Sequence, residues 1–386
     1  MLLQKKHITW LLSLYLFGLL LVGNLHAEGV YEAAHFGQGE LRIVDEIPVA
    51  ILQGTPNQIG RQHAVLLAKP GAELLNFPKQ LFQDEGLAWF WPLASSAGLT
   101  LLKNASPDHY EEIKAASVQS RLNEGTLAVA NTLLELRRIG CSSLIVEPER
   151  SATGGPLFGR NFDFPSFGML DRYSLVSVIR PSGKHAFVSV GFPGLMGVLS
   201  GMNDVGLCVA TLDVEEAADG SLRFDPTGVP MMLVFRQILE ECSTVADAEA
   251  LLNRTQATTQ ANLAVCDRER GAVFEITPKQ VRRRDSDGAM LPCTNHFCLP
   301  GLATDQQCWR FDVLTAAQQK QTLNVRELQN YLHQANQGEF TMQTMVFEPR
   351  ELVLHLSLGT PPSSAHKLHR IELRELLVTD RDELGK

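Results

Sequence analysis

The chain has 386 residues, of which 45% are hydrophobic and 20% are charged. This composition is that of an ordinary globular protein and excludes a largely disordered chain. The 43 acidic residues outnumber the 34 basic residues, which gives a net charge of −9. Nucleic acids and anionic membranes need a basic footprint on their partner, so this balance argues against both. We expect an acidic globular protein with no nucleic-acid partner.

The first 27 residues have the pattern of an export signal. Lys5 and Lys6 precede an apolar run over residues 8–22, and Ala27 offers a small residue for cleavage. The alternative is a membrane anchor, but a spanning helix needs roughly 20 apolar residues and this run is shorter. We therefore predict a signal peptide over residues 1–27, a periplasmic or secreted mature protein, and no stable membrane insertion after cleavage.

Residues 28–140 have a mainly helical pattern. A strand is predicted over residues 41–53 and ends at Gly54. Ser106 and Pro107 supply an N-cap and a first-turn proline for a long helical region that extends to Leu136. This part of the chain is predicted to contribute helices to the outside of the fold.

From Cys141 onward the pattern changes to short strands separated by turn residues. Several of these strands carry apolar side chains on both faces, which indicates a sheet that is covered on both sides. Two helices are predicted over residues 229–241 and 244–252, and strands and further helices follow. Strands followed by helices and more strands favour an α+β domain of stacked sheets with helices outside.

The seven cysteines are an odd number, so at least one of them stays unpaired within the chain. A zinc site is one interpretation of Cys293, His296, Cys298 and Cys308, but their spacing fits no common zinc-ligand pattern. In an exported protein a disulfide is the simpler interpretation of such cysteines. We expect no metal and no cofactor.

Two short motifs carry the chemistry. The common signatures of serine hydrolases, zinc proteases and nucleotide-binding proteins are absent. The first motif, GCSSLIV over residues 140–146, places Cys141 at the start of a buried strand, and GRNFDF follows over residues 159–164. A buried cysteine is more often a small core residue, so Cys141 alone would not indicate catalysis.

Together the two motifs resemble the cysteine branch of the N-terminal-nucleophile hydrolases, in which a Gly–Cys bond is cut autocatalytically. This branch includes choloylglycine hydrolase, acid ceramidase, N-acylethanolamine acid amidase and isopenicillin N acyltransferase, and the chain resembles the last family most. Four further segments follow the order of that family: 54–63, 201–207, 226–230 and 294–297. The resemblance implies a four-layer αββα sandwich with two stacked, mainly antiparallel sheets and helices outside.

The resemblance also implies roles for five residues. Cys141 would be the nucleophile, and its α-amine, freed by cleavage after Gly140, would act as the general base. A free α-amine titrates near pH 7.7–8.0 and can accept the thiol proton, whereas an amide cannot. Arg160 would favour the thiolate, Asp163 would orient the α-ammonium, and Asn295 would donate to the oxyanion. Arg310 resembles a late arginine of the family.

Two features do not fit this scheme directly. Arg160 and Asp163 are three residues apart, so a regular strand would point them to opposite faces. We therefore expect a bulge or turn near Asn161 that lets both reach Cys141. In addition, Asp213 stands where the choloylglycine hydrolases place an asparagine that donates to the oxyanion, and an ionised carboxylate cannot donate.

We therefore predict an exported amidase, cut at Gly140–Cys141, that retains residues 28–140 as a partner of residues 141–386. It would cleave a linear amide of a small N-acyl compound through a thioester on Cys141. Hydrolysis is favoured over acyl transfer because an exported enzyme meets little acyl-coenzyme A. The alternatives are an acyltransferase, an unprocessed thiol hydrolase that pairs Cys141 with His296, and a binding protein without catalysis.

Overall fold

The computed structural model of the chain describes residues 30–132 and 140–377. The predicted signal peptide over residues 1–27 and the end of the helical region predicted to reach Leu136 lie outside these residues. In the part of the chain that is described, no helix is long and apolar enough to cross a membrane.

The strands of the described residues form two sheets. The larger has ten strands in the order β1-β2-β3-β6-β7-β8-β9-β10-β11-β12. Its strands are β1 (Ala34–Phe36), β2 (Gly39–Val44), β3 (Ile47–Gly54), β6 (Leu175–Pro181), β7 (Phe187–Gly191), β8 (Ser200–Asn203), β9 (Cys208–Asp213), β10 (Ala261–Cys266), β11 (Gly271–Ile276) and β12 (Val281–Asp285).

The smaller sheet has six strands in the order β13-β4-β5-β14-β15-β16. Its strands are β4 (Gly140–Val146), β5 (Leu157–Asp163), β13 (Met290–Cys293), β14 (Thr341–Glu348), β15 (Val353–Ser357) and β16 (His369–Glu372). Strands β3 and β6 pair in parallel, and the other neighbouring strands of the two described sheets pair antiparallel.

Helices cover the outer faces of both sheets. The helices are α1 (Pro56–His63), α2 (Ala72–Asp84), α3 (Trp91–Leu102), α4 (Pro107–Ser120), α5 (Glu124–Asn131), α6 (Met231–Glu241), α7 (Val245–Asn253), α8 (Trp309–Thr315), α9 (Val325–Gln334) and α10 (Arg374–Leu377). Helices α1, α6 and α7 pack on the ten-stranded sheet, and α8 and α9 pack on the six-stranded sheet.

The main hydrophobic core lies between the two sheets. Val178 and Val188 of the larger sheet and Phe158 and Leu354 of the smaller one belong to the same buried cluster. A second cluster fills the space between the smaller sheet and helices α8 and α9. Helix, sheet, sheet and helix therefore follow one another, which confirms the predicted α+β fold of four αββα layers with mainly antiparallel sheets.

Local turns change two of the predicted elements. The strand predicted over residues 41–53 is a hairpin of β2 and β3, because Asp45 and Glu46 both adopt positive φ angles and form a tight turn. The long helical region after Pro107 is divided into α4 and α5. Arg121 takes a left-handed conformation that ends α4, and Asn123 caps α5.

A buried ion network joins the chain on either side of Gly140. Arg236 on α6 makes two hydrogen bonds to Glu112 on α4, at 2.8 and 2.6 Å, and a third to Glu240 at 2.7 Å. His109 and Lys184 each lie 3.0 Å from the second oxygen of Glu240. Burial alone would raise the pKa of Glu240, but the charge of Arg236 and its other partners holds that pKa below its usual range. The network anchors α4 to the sheet domain.

We predict that Arg236→Leu lowers the free energy of unfolding by about 3–5 kcal/mol, because it removes the guanidinium that pairs with the buried carboxylates of Glu112 and Glu240. Urea unfolding of the purified protein measures this change. The matched control is Arg283→Leu, because Arg283 pairs with the more exposed Glu249 and Asp285. That control should cost less than about 1 kcal/mol. Equal losses for the two variants would contradict an anchoring role of the network.

Candidate active site

Cys141 lies at the beginning of β4 and is fully buried. Strand β4 pairs with β5 in a continuous antiparallel register that places Cys141 opposite Phe162. Arg160, opposite Ser143, lies two residues along β5 from Phe162 and therefore on the face that carries the Cys141 side chain. The pairing of two neighbouring strands thus brings the two motifs together.

The guanidinium of Arg160 contacts the thiol directly. Its Nη2 donates to Cys141 Sγ at 3.1 Å, and its Nη1 donates to the carbonyl oxygens of Thr211 at 2.6 Å and Leu199 at 3.1 Å. Thr211 lies in β9 and Leu199 directly precedes β8, both in the larger sheet. The Arg160 side chain therefore reaches from the smaller sheet to the larger one. The arrangement holds one positive charge beside the sulfur.

In the intact chain the thiol is nevertheless protonated. Burial raises the pKa of the Cys141 thiol to about 11, although Arg160 and Arg310 favour the thiolate and Asp163 opposes it. Because the Cys141 nitrogen is still a peptide amide, it cannot take the proton from sulfur. The site therefore holds a protonated thiol beside the groups that would stabilise its charged form.

The prediction of a bulge near Asn161 is wrong. Strand β5 keeps its register with β4 from Leu157 to Asp163, and the irregularity lies in β14, between Thr341 and Gln343. Asp163 therefore points to the face opposite Arg160. It still belongs to the site because it packs against Gly140: its Cβ lies 3.2 Å from the place where a Gly140 Cβ would stand.

Two residues that the sequence analysis did not identify hold the Asp163 carboxylate. Thr341 donates to Oδ1 at 2.5 Å and Gln337 donates to Oδ2 at 2.8 Å. Burial raises the pKa of Asp163, while these hydrogen bonds and the charge of Arg310 lower it in part. Thr341 is paired with Asp163 across β5 and β14, so the prediction of strand β14 would have pointed to it.

Asn295 contacts the main chain of Cys141. Its Oδ1 accepts a hydrogen bond from the Cys141 nitrogen at 2.7 Å, and its Nδ2 donates to the Asp213 carbonyl at 2.8 Å. The amide thus orients the nitrogen that cleavage would release. Its expected donation to an oxyanion stays a prediction.

Arg310 connects the other groups of the site. It donates to the Cys141 carbonyl oxygen and to Asn295 Oδ1, the second at 3.0 Å, and it lies 3.6 Å from Asp163 Oδ2. Helix α8 begins one residue earlier, which fixes Arg310 in the first turn of a helix packed on β4. The structure therefore places all five predicted residues around the Gly140–Cys141 bond.

Asp213 contacts Asn295 and Arg223. Its carbonyl holds Asn295, and its carboxylate lies 3.5 Å from the guanidinium of Arg223. Asp213 thus supports the site through its main chain.

His296 faces other thiols than Cys141. Its Nδ1 lies 2.9 Å from Thr294 Oγ1, and its Nε2 lies 3.8 Å from Cys298 Sγ. Hydrogen bonds to the Cys298 and Cys308 sulfurs raise the pKa of His296 to about 9. Burial raises the pKa of Cys308, but hydrogen bonds from His296 and Thr294 and the charge of Arg310 outweigh it and lower that pKa to about 6.

All seven cysteines are free thiols, so the disulfide considered for Cys293, Cys298 and Cys308 is not formed. Across residues 30–132 and 140–377, no cluster of three His, Cys, Asp or Glu side chains is arranged to hold a metal ion.

We predict that iodoacetamide alkylates Cys308 before Cys141 at pH 7 in the uncut chain, because Cys308 is half-buried and mostly thiolate there, whereas Cys141 is fully buried and protonated. The rate at Cys308 should rise between pH 5 and 7 and then level off. Peptide mass mapping after short pulses measures it. In His296→Asn the midpoint should move upward by at least about one pH unit. A wild-type midpoint above pH 8 would contradict the thiolate assignment.

Residues 150–362, more than half of the chain, match the family described as acyl-coenzyme A:6-aminopenicillanic acid acyl-transferase. An uncharacterized protein of Archaeoglobus fulgidus is 23% identical over 358 residues, an alignment that covers 75% of this chain and 58% of that protein. The chain thus spans less than two thirds of the length of this curated relative.

Three solved structures are distantly similar. A mutant conjugated bile acid hydrolase of Clostridium perfringens is 17% identical with a TM-score of 0.43, covering 61% of this chain and 93% of that one. The Caenorhabditis elegans ortholog of N-acylethanolamine-hydrolyzing acid amidase is 15% identical with a TM-score of 0.43, covering 60% of this chain and 100% of that one. Penicillin V acylase from Agrobacterium tumefaciens is 13% identical with a TM-score of 0.45, covering 62% of this chain and 89% of that one.

The family assignment rests on the match over residues 150–362, which includes the GRNFDF motif and reaches beyond Arg310. This match confirms the resemblance inferred from the sequence. The chain is a member of the acyl-coenzyme A:6-aminopenicillanic acid acyl-transferase family.

Proposed function

We propose that the chain is an autoproteolytic cysteine amidohydrolase that cuts itself between Gly140 and Cys141 and then hydrolyses the linear amide of an N-acyl compound. The proposal rests on three contacts that other side chains make with Cys141. Arg160 contacts its sulfur, Asn295 accepts from its nitrogen, and Arg310 donates to its carbonyl oxygen. A cysteine buried only for packing needs no charged group on its sulfur or its main chain.

Self-cleavage begins with attack of the Cys141 sulfur on the Gly140 carbonyl carbon. A sulfur–carbon bond forms, the Gly140–Cys141 carbon–nitrogen bond breaks, and the thiol proton passes to the released nitrogen. Water then hydrolyses the thioester, which gives a Gly140 carboxylate and a free thiol. A side chain at Gly140 would come within 2.4 Å of the Gln337 amide, so the position before the cut favours glycine.

The released α-amine then serves the thiol. Its ordinary pKa of about 7.7–8.0 lets it accept the thiol proton near neutral pH. The charge of Arg160 stabilises the thiolate, which attacks the substrate carbonyl and expels the amine as an acyl thioester forms. The Asp163 side chain packs against Gly140 through its Cβ, and in this proposal its carboxylate holds the α-ammonium.

We propose that residues 28–140 stay bound to residues 141–386 after the cut. Strand β3 pairs with β6 inside the larger sheet, and Arg236 ties α4 to α6. Asn131 on α5 adds hydrogen bonds to the backbone of Gly194 and Met196. These contacts cross the cleavage point and do not depend on the peptide bond that is cut.

Of the alternatives, the contacts of His296 argue against an unprocessed Cys141–His296 enzyme, because both of its ring nitrogens face other partners. Acyl transfer to an amine is the second candidate, and the description of the family favours it. We favour hydrolysis together with export after loss of residues 1–27. Product analysis with and without an added primary amine separates the two reactions.

We predict that intact-mass analysis of the purified exported protein, denatured and reduced, gives two species that begin at residue 28 and at Cys141. Cys141→Ala should give one uncut chain, because it removes the sulfur that attacks Gly140. Gly140→Ala should slow the cut by at least about 10-fold, because its Cβ displaces the Gln337 amide.

Cys308→Ala is the matched control, because it removes a nearby thiol that the mechanism does not use, and it should be cut like the wild type. A folded wild-type chain that stays uncut would overturn the self-cleavage mechanism. Cleavage of Cys141→Ala would assign the cut to another nucleophile or to a contaminating protease.

A further inference from the structure

An apolar cavity opens beside the candidate active site. Its volume is about 150 Å³, and it lies between helices α2, α3 and α5 on one side and residues from β5 to α6 on the other. Phe162, Phe164, Phe167 and Phe77 line it as a series of aromatic rings whose neighbouring centroids are 5.3–6.2 Å apart. The half-exposed Phe167 stands at its outer end.

The inner end of the cavity reaches the neighbours of the thiol. Phe162, which lines the cavity, is the residue paired with Cys141 across β4 and β5. Its ring centroid also lies 5.6 Å from the Arg160 guanidinium. Leu199, another lining residue, accepts a hydrogen bond from Arg160 through its carbonyl. The cavity therefore ends one side chain away from the sulfur that would carry an acyl group.

The walls exclude a charged occupant. None of the described side chains that line the cavity is ionisable, and only Thr126 and the Trp91 indole offer conventional polar atoms. A carboxylate or ammonium placed there would lose its water without gaining a partner. An alkyl or aryl group instead gains free energy from every atom that it removes from water.

Part of this wall lies outside the range that matches the family. Leu74, Phe77, Trp91 and Ala130 come from the helices before Gly140, outside the range 150–362 that matches the family. The shape of the cavity is thus not determined by the family motifs alone.

We propose that this cavity binds the acyl part of the substrate and selects uncharged apolar acyl groups of about six to eight carbon atoms, while the amine part stays outside. The inference rests on the proposed amidase function. The size follows from the volume, since an apolar protein cavity of about 150 Å³ holds a benzene molecule. The helices before the cut thereby form part of the substrate site.

The test uses N-acyl p-nitroanilides from acetyl to dodecanoyl, together with phenylacetyl, and the processed wild-type enzyme. We expect kcat/KM to rise by about fourfold for each added methylene until the cavity is full, and to fall for longer chains. The maximum should lie at six to eight carbons. A profile that is independent of acyl length would overturn the proposal.

Ala130→Phe fills the cavity from α5 without changing any residue of the candidate catalytic site. It should lower kcat/KM for the octanoyl substrate by at least about 10-fold and leave the acetyl substrate within about twofold. Ala97→Phe makes the same change at an exposed position of α3 and should leave the whole profile unchanged. Equal profiles for the two variants would also overturn the proposal.

A binding measurement separates failure of the cavity from failure of the catalytic mechanism. In Cys141→Ala, calorimetry should detect the octanoyl anilide but not the acetyl one, with a negative heat-capacity change, and Ala130→Phe should abolish that binding. Binding without wild-type turnover would refute the amidase and keep the cavity. Turnover without a preference for acyl length, and without this binding, would keep the amidase and refute the cavity.

Discussion

The contact between the Arg160 guanidinium and the Cys141 sulfur is the constraint on which the rest of the site depends. A fully buried cation is costly unless its donors are satisfied, and two carbonyls from the opposite sheet satisfy part of Arg160. Those carbonyls belong to Leu199 and Thr211, so the spacing between the sheets determines where the charge lies. The sulfur is therefore positioned by the stacking of the sheets and by the register of β4 against β5.

Buried interactions also fix the position of the part of the chain before Gly140. A segment that only covered a site could be lost after cleavage, but this one supplies three strands of the larger sheet and the Glu112 partner of Arg236. Breaking a buried bidentate ion pair leaves charges without water or partner. The helices that line the cavity are consequently fixed relative to Cys141 by interactions that do not depend on the Gly140–Cys141 bond.

The fold and the members of the site were predictable because motifs and alternating apolar residues report on strands that are buried. The geometry of the site was less predictable from the sequence. Strand β14 was missed because Thr341, Gln343 and Thr344 at its start are polar, and their buried side chains bond to Asp163, Ser174 and Asn161. Likewise, the sequence identifies Asn295 as an amide near Cys141, but only the structure shows which of its atoms faces the nitrogen.

In the proposed mechanism, the intact chain lacks the base that reaction with a substrate needs. Burial raises the pKa of Cys141 to about 11, and Asn295 and Arg310 hold its nitrogen and carbonyl as parts of a peptide. The proposed cleavage would change the nitrogen from a donor without basicity into an amine that titrates near neutral pH, on the same residue as the sulfur. Arg160 already contacts the sulfur, so it would not need to move, and a single broken bond would supply the missing base.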